Sequence, residues 1–560
     1  GSLSGQFSFL ELLPLAQNAL GSMYSNYKPY VVAPNQFLDF NFTIYNQIVS
    51  AFFPDISIDD NTKIKGRIKA NKNHLKLKIS SPKINVYGNE IKNILLRTDN
   101  QNSLYDSHLT ASAVTTKYYN VSKVNLLSLN LNDTLYFKSV FKGGKKQDED
   151  FNFDFFYTFN PEGKSVVGFE KSSFKFKENV WSINPDRSNT NKVTFNLQEN
   201  EYNFSAFKLL SGVQKIAFSG SIKGDDEKAL LADFTNVQLE SFLPKIDSLA
   251  LKGVLSGDLS FVQKEGVYNP VGALSIKDFE VNNFNQGNLS FNIEGDNSYE
   301  KYRVDLSIEN QKVKSIVALG SLDFSKKRPM IDLRVSLEEF GLDAFSPLGK
   351  DVLSSIRGTA NGDFYLRGFF GNPAMEGVLM LKNAGLQFPY LNVDYDFEGA
   401  AIITLKEQSF IFEDITLKDT KQQTKGRLLG DITHLNFKKW FLNIEIESNN
   451  LLVLDTEKTD EALYYGTALI DGTASITGLT DQLTIDVNAK TMSGTTFVVP
   501  LKDLETVDSY SLIHFKSDKS VIKDRQNEIA NEALKGVSIN IDLEVTKAAT
   551  AQVVIDEING

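Results

Sequence analysis

The chain has 560 residues with 59 Lys+Arg against 70 Asp+Glu, a net charge of 59 − 70 = −11. Its charges are interspersed and lack the cationic surplus that phosphate binding needs, so nucleic acid is excluded as a partner. The absence of cysteine removes disulfide frameworks, thiolate metal sites and a cysteine nucleophile, while 41 Phe and 20 Tyr against 2 Trp favour pleated, half-buried surfaces.

At the start, the apolar stretch Phe7 to Leu20 is interrupted by Glu11, Pro14 and Gln17. It is too short and too broken to span a bilayer, and it lacks the basic flank of a signal peptide. The opening Gly1-Ser2 and the stop at Gly560 inside a strand pattern suggest an internal piece of a longer chain.

From there the dominant signal is period two. Leu38, Phe40 and Phe42 alternate with polar residues, as do Leu75, Leu77 and Ile79, then Phe151, Phe153 and Phe155, then Val193, Phe195 and Leu197. The second half repeats the pattern in Leu289, Phe291 and Ile293; Val304, Leu306 and Ile308; Leu333, Val335 and Leu337; Leu442, Ile444 and Ile446; and Ile539, Ile541 and Leu543. Successive strand side chains point to opposite faces, so each run has one oily and one wet face. The residues of these five second-half runs are the candidate lining of one shared apolar face. Their neighbours Asn292, Asp305, Arg334 and Glu445 are expected to face water. Alternation of this kind favours antiparallel pairing, since doubly covered parallel strands read as solid apolar runs. At roughly 14 residues per strand plus turn, about 35 to 40 strands are predicted.

Turn signals separate many runs, among them Lys142 to Lys145, Gly224 to Asp226 and Gly295 to Asn297. Helical patterns are few. Asp524 to Lys535 reads as one amphipathic helix stopped by Gly536, and short helices are expected within Phe242 to Leu251 and Ala344 to Ile356.

An internal repeat organises the chain. Lys252, Gly253, Gly257 and Asp258 recur as Arg357, Gly358, Gly362 and Asp363, with a looser copy at Tyr465, Gly466, Asp471 and Gly472. The lead glycines are 358 − 253 = 105 and 466 − 358 = 108 residues apart. Upstream, Leu239, Phe242 and Pro244 match Leu342, Phe345 and Pro347; downstream, Asn269-Pro270 matches Asn372-Pro373. Phe9 to Pro14 reads as a degraded early copy. Repeated strands with little helix to cover them point to a solenoid-like or continuously curled sheet.

Catalytic constellations are missing. His74, His108, His434 and His514 have no partner at zinc-ligand spacing, and read as strand or surface residues. Gly143-Gly144-Lys145 lacks the remaining glycine and the hydroxyl residue of a phosphate loop, so it reads as a hairpin tip. No nucleophile elbow occurs, and carboxylate pairs such as Asp59-Asp60 and Asp225-Asp226 sit in turns. No enzyme activity, cofactor or metal is expected. What remains is the oily face, and periodicity leaves open whether it closes as a sandwich core or forms a groove. An open groove would let a charge introduced at Leu306 or Ile444 reach water; a sandwich core would not.

The C-terminal third carries more specific runs: Asn450 to Thr456, Leu463 to Ala468, Gly472 to Gly478, Gly494 to Leu501, Tyr510 to Phe515, Leu534 to Leu543 and Val554 to Gly560. They resemble the TamB family of bacterial translocation and assembly proteins, in its Bacteroidetes-type version, within the wider AsmA-like repeating β-groove superfamily. The match is close over 450 to 560, holds in repeat style over 236 to 450, and is compositional over 1 to 235. The resemblance implies an all-β fold: a long curled antiparallel sheet, or β-taco, with an apolar lumen and few short helices. It implies a groove part over 1–235, repeated groove units over 236–500 starting near 253, 358 and 466, and the start of the conserved C-terminal domain over 501–560. It implies a periplasmic location in a Gram-negative bacterium, with an inner-membrane anchor outside this sequence. It further implies phospholipid or other acyl-chain cargo moving between the two membranes, and an Omp85-type outer-membrane barrel (TamA-like) as partner. The alternatives are a chaperone-like scaffold for outer-membrane protein assembly and a repetitive β surface adhesin.

Overall fold

The computed structural model describes residues 1–23, 27–102, 104–117, 119–144, 146–242, 250–265, 267–296, 300–349, 353–436, 439–459, 464–500 and 537–554. Alternating sequence becomes strand almost throughout. Among the described residues thirty-five strands join in one hydrogen-bonded sheet, and helices are short. The fold is the all-β, curled sheet that the alternation and the resemblance predict. The chain forms two compact units, Gly1–Phe242 with Leu255–Gly272, and Leu243–Val254 with Ala273–Gly560.

In the first unit, long strands meander by hairpins from Phe37–Ile44 onward. The glycine turn after Lys142 is a hairpin tip, with Gly143 opposite Glu149. Beyond the strand Glu149–Phe159 the ladder divides. Ser165–Phe169 leads to Lys192–Asn196, Ser172–Phe176 leads to Asn179–Ile183, and both branches rejoin on Glu201–Ser211. The interrupted apolar stretch near the start is a 3-10 turn, Phe9–Glu11, followed by the helix Leu12–Gly21. Its Leu15 and Ala19 share a helix face and are buried against Leu38, Ile68 and Leu75 of three paired strands. Pro14 is tolerated because the first helical turn needs no amide donor.

In the second unit, hairpins connect strands of up to 18 residues, the longest being Lys439–Thr456. The glycine repeat lies in three long strands, Leu251–Lys264, Ser354–Phe369 and Tyr465–Leu479. Backbone geometry explains part of it. Gly362 holds φ +145, and a Cβ there would stand 2.2 Å from Val378 O; Gly430 holds φ +114, with a Cβ 2.0 Å from Asn443 O. Only glycine fits such positive-φ, close-approach positions within a strand.

The sheet's curl is measurable here. Val393–Phe397 pairs with Ser409–Asp419, that with Lys425–Leu435, and that with Lys439–Thr456. In a flat sheet three such steps span about 14 Å. Instead, Tyr395 Oη donates a 2.7 Å hydrogen bond to Leu452 O.

Pairing is mostly antiparallel, as expected; at the C-terminal end Gln482–Thr491 pairs with Val537–Glu544 in parallel, as does Thr496–Pro500 with Thr550–Val554. Parallel neighbours require a crossover of a dozen or more residues, and 536 − 500 = 36 residues separate Pro500 from Val537. Near Ala344 the short helix is a 3-10 segment, Asp343–Gly349, and strand resumes at Ser354. Only the 3-10 turn Leu239–Ser241 is described next to the other short helix, as 243–249 lie outside the described residues. The predicted helix Asp524 to Lys535, and His514, also lie outside them. No helix among the described residues is long and apolar enough to cross a membrane.

Candidate functional site: one apolar face of the sheet

Directly opposed residues of paired strands share a face, so the register traces each row of side chains across the sheet. In the second unit, Leu289 stands opposite Ile308, Ile308 opposite Ile316, Ile316 opposite Leu337 and Leu337 opposite Gly362. The row continues through Leu379, Ile403, Phe412, Gly430 and Ile444 to Ile476, Ile485 and the backbone position of Ile539. No position in it is charged. A neighbouring row runs Phe291, Leu306, Ala318, Val335, Phe364, Gly377, Leu405 and Phe410, then Ile432, Leu442, Gly478 and Leu483. Ile293, Val304 and Leu333 lie in a third row through Gly320. Ile446 stands opposite Ala474, which stands opposite Val487 and so leads to Ile541; Ala489 stands opposite Leu543. The register therefore gathers the residues of the five alternating runs onto one face. Asn292, Asp305, Arg334 and Glu445 are all exposed on the other.

Burial divides this face. Leu289, Phe291, Ile293, Leu306, Leu333 and Leu337 are half-buried, interleaved with the buried Val304, Ile308 and Val335. Leu442, Ile444 and Ile446 are only 2%, 5% and 7% exposed. They belong to a closed core with Leu379, Leu405, Ile415 and Leu452, built where the sheet curls onto itself. Ile541, by contrast, is half exposed, and Leu543 half-buried.

The first unit has an apolar row of its own, rich in aromatic rings. A row runs Phe40, Gly66, Leu77, Thr98, Ser107, Ser128, Phe137, Phe155 and Phe169, so the helix Leu12–Gly21 packs on the same face. Phe137 stacks on Phe155 at 4.8 Å, Phe141 on Phe151 at 4.7 Å, and Phe151 on Phe174 at 5.8 Å. Trp181 stands opposite Phe174 and completes this ladder. The rings of the ladder are half-buried, except Trp181, which is fully buried. The candidate lining drawn from sequence omits this ladder, although the alternation of Phe151, Phe153 and Phe155 signals it.

The traced rows carry no titratable side chain, and two titratable groups, Tyr395 and His434, are enclosed beside them. On the outer face Arg427 pairs with Asp414 at 2.9 Å and Glu447 at 3.0 Å, and its hydrogen bond holds the Asp414 carboxyl below its usual range. Tyr395 is enclosed in the closed core, and burial pushes its hydroxyl pKa far up, leaving a neutral donor. His434 is buried beside Trp440, with ring centroids 5.6 Å apart, and burial lowers its pKa. Among the described residues, no three His, Cys, Asp or Glu side chains group as a metal site. The arrangement can hold apolar chains.

Residues 413–558 match the family model described as the TamB C-terminal domain. This C-terminal stretch is similar to the TamB family. No curated protein and no solved structure matches the chain. TamB proteins are not a known enzyme family; they are associated with the bacterial envelope, in the translocation and assembly module or in lipid transport, and work with an outer-membrane partner. The matched residues start within the strand Ser409–Asp419 and take in about half of the closed core and both parallel strand pairs.

Proposed function

We propose that this chain is a TamB-like part of a periplasmic conduit that carries phospholipid acyl chains along its apolar face between the inner and outer membranes. The observation that carries the reading is the uncharged, in-register row from Leu289 to Ile485, in whose first strands Leu289, Ile316 and Leu337 are only half-buried beside the buried Ile308. A two-chain lipid exposes about 30 methylenes, so its transfer through water costs on the order of 20 kcal/mol. A face of Phe, Leu, Ile and Val solvates those chains. Apolar contact is non-directional, so chains can slide without a fixed pocket. Charged headgroups stay in water and need no buried partner. On this reading the inner membrane and an Omp85-type barrel lie at the two ends of the path.

A second reading, a scaffold for outer-membrane protein assembly, is favoured by one observation. Val537–Glu544 and Thr550–Val554 each pair with one strand only among the described residues, and Ile541 and Val553 are exposed on them. Such edges can accept an extended client strand. Native mass spectrometry of the purified chain separates the readings. Bound phospholipid is expected; co-purifying barrel precursors without lipid would replace the conduit by the scaffold.

A further inference from the structure

The repeated Leu-x-x-Phe segments take a common form. After the strand Glu227–Gln238, the 3-10 turn Leu239–Ser241 folds back along the sheet to the hairpin between Ser172–Phe176 and Asn179–Ile183. There Asn179 Nδ2 donates a 2.6 Å hydrogen bond to Ser241 Oγ, and Lys177 Nζ one of 3.0 Å to Glu240 O. The segment Asp343–Gly349 folds back in the same way, and Asn282 Nδ2 donates 2.8 Å to Ala344 O. A third clasp joins Asn392 Nδ2 to Asp455 O at 2.6 Å. The three clasps span 62, 62 and 63 residues. Their asparagines are 282 − 179 = 103 and 392 − 282 = 110 residues apart, close to the spacing of the glycine repeat. One structural device therefore recurs in each repeat.

Each of the first two straps lays a phenyl ring on the apolar face. Phe242 lies edge-on over Trp181, centroids 5.3 Å apart, and 6.3 Å from Phe176. Phe345 lies 6.0 Å from Phe340, which stands opposite the buried Ala360. Both strap rings remain 41% and 40% exposed, whereas Trp181 beneath is 1% exposed. Trp181 Nε1 is buried with no hydrogen-bond partner among the described residues. A sealed indole N–H without an acceptor is expensive to keep, and a ring open to solvent on one side is weakly held.

We propose that Phe242 is a displaceable plug over a glycerolipid seat formed by Trp181, Phe176 and Phe174, latched by Asn179, with Phe345 and Asn282 as its counterpart one repeat on. An acyl chain takes the place of the phenyl ring, and a lipid ester carbonyl accepts from Trp181 Nε1. This rests on the conduit reading and adds to it discrete, latched seats at which cargo is held.

The test uses the whole chain carrying Trp440→Phe, so that Trp181 is the only tryptophan. Dibrominated phosphatidylcholine is the quencher. Phe242→Ala should raise Trp181 quenching at fixed lipid by about threefold or more, because a larger fraction of seats is competent. Asn179→Ala should shift it the same way, and Phe242→Leu should leave it near the parent. If Phe242→Ala melts too early to use, Asn179→Ala decides alone, since it removes no apolar side chain. Quenching unchanged in both variants, with phospholipid still found on the chain by native mass spectrometry, overturns the plug and leaves the conduit standing. Absence of phospholipid from every variant sinks the conduit reading and the plug with it.

Discussion

A charge placed on the apolar face tells its open stretch from its closed one. Ile444 is 5% exposed, opposite Gly430 and Ile476 in the core. Ile444→Arg loses the buried side chain and strands an unpaired cation, together roughly 5 kcal/mol or more. For a unit of this size that lowers Tm by about 10 to 20 °C. Leu306 is half-buried, opposite Phe291 and Ala318. A carboxylate there can turn toward water, so Leu306→Asp should cost only about 1 to 2 kcal/mol. The exposed control Asp305→Arg should cost nothing measurable. Thermal melts of the purified variants give the stability scale; phospholipid retained by the chain, and the outer-membrane barrier of cells carrying the full-length variant, give function. Leu306→Asp should fold and yet lose lipid and barrier, and Asp305→Arg should do neither. Equally severe melting of Leu306→Asp and Ile444→Arg would mean that the face is sealed at Leu306 too, and the conduit would lose its opening there. A well-folded Leu306→Asp with undiminished lipid delivery would leave the assembly scaffold as the better account.

Gly430→Ala should destabilise by about 2 to 4 kcal/mol in urea unfolding, because its φ is +114 and the new Cβ would meet Asn443 O; Gly371→Ala, with open space around it, is the neutral control. Tyr395→Phe should cost about 1 to 3 kcal/mol by leaving Leu452 O unpaired in the core, with increased amide exchange in Val393–Phe397 as a second readout. Acid stability should depend on Asp455, whose carboxyl the Lys421 ammonium, 2.5 Å away, holds below its ordinary value. A lowered folded-state pKa gives stability that is present above the unfolded value of about 4 and is lost as pH falls through the folded value. Asp455→Asn should therefore flatten the melting profile at the acid end and leave its slope near neutrality unchanged; an unaltered acid limb would refute this role for the pair.

The alternation of Leu289, Phe291 and Ile293 with polar residues, and its recurrence through Ile446, was enough to determine a half-buried β-sheet and which residues share its face, because strand side chains obey a strict period of two. The glycine repeat was legible too, and its copies fall in three long strands. Other features belonged to the tertiary structure alone. Leu306 and Ile444 have the same local pattern, yet one is half-buried and the other sealed, since closure depends on how far the sheet curls and not on any one strand. The parallel pairing of Val537–Glu544 turns on a long crossover that leaves no mark in strand periodicity. The clasps of Asn179, Asn282 and Asn392 join groups 62 or 63 residues apart, and an asparagine in a turn looks like any other until the strap folds back to meet it.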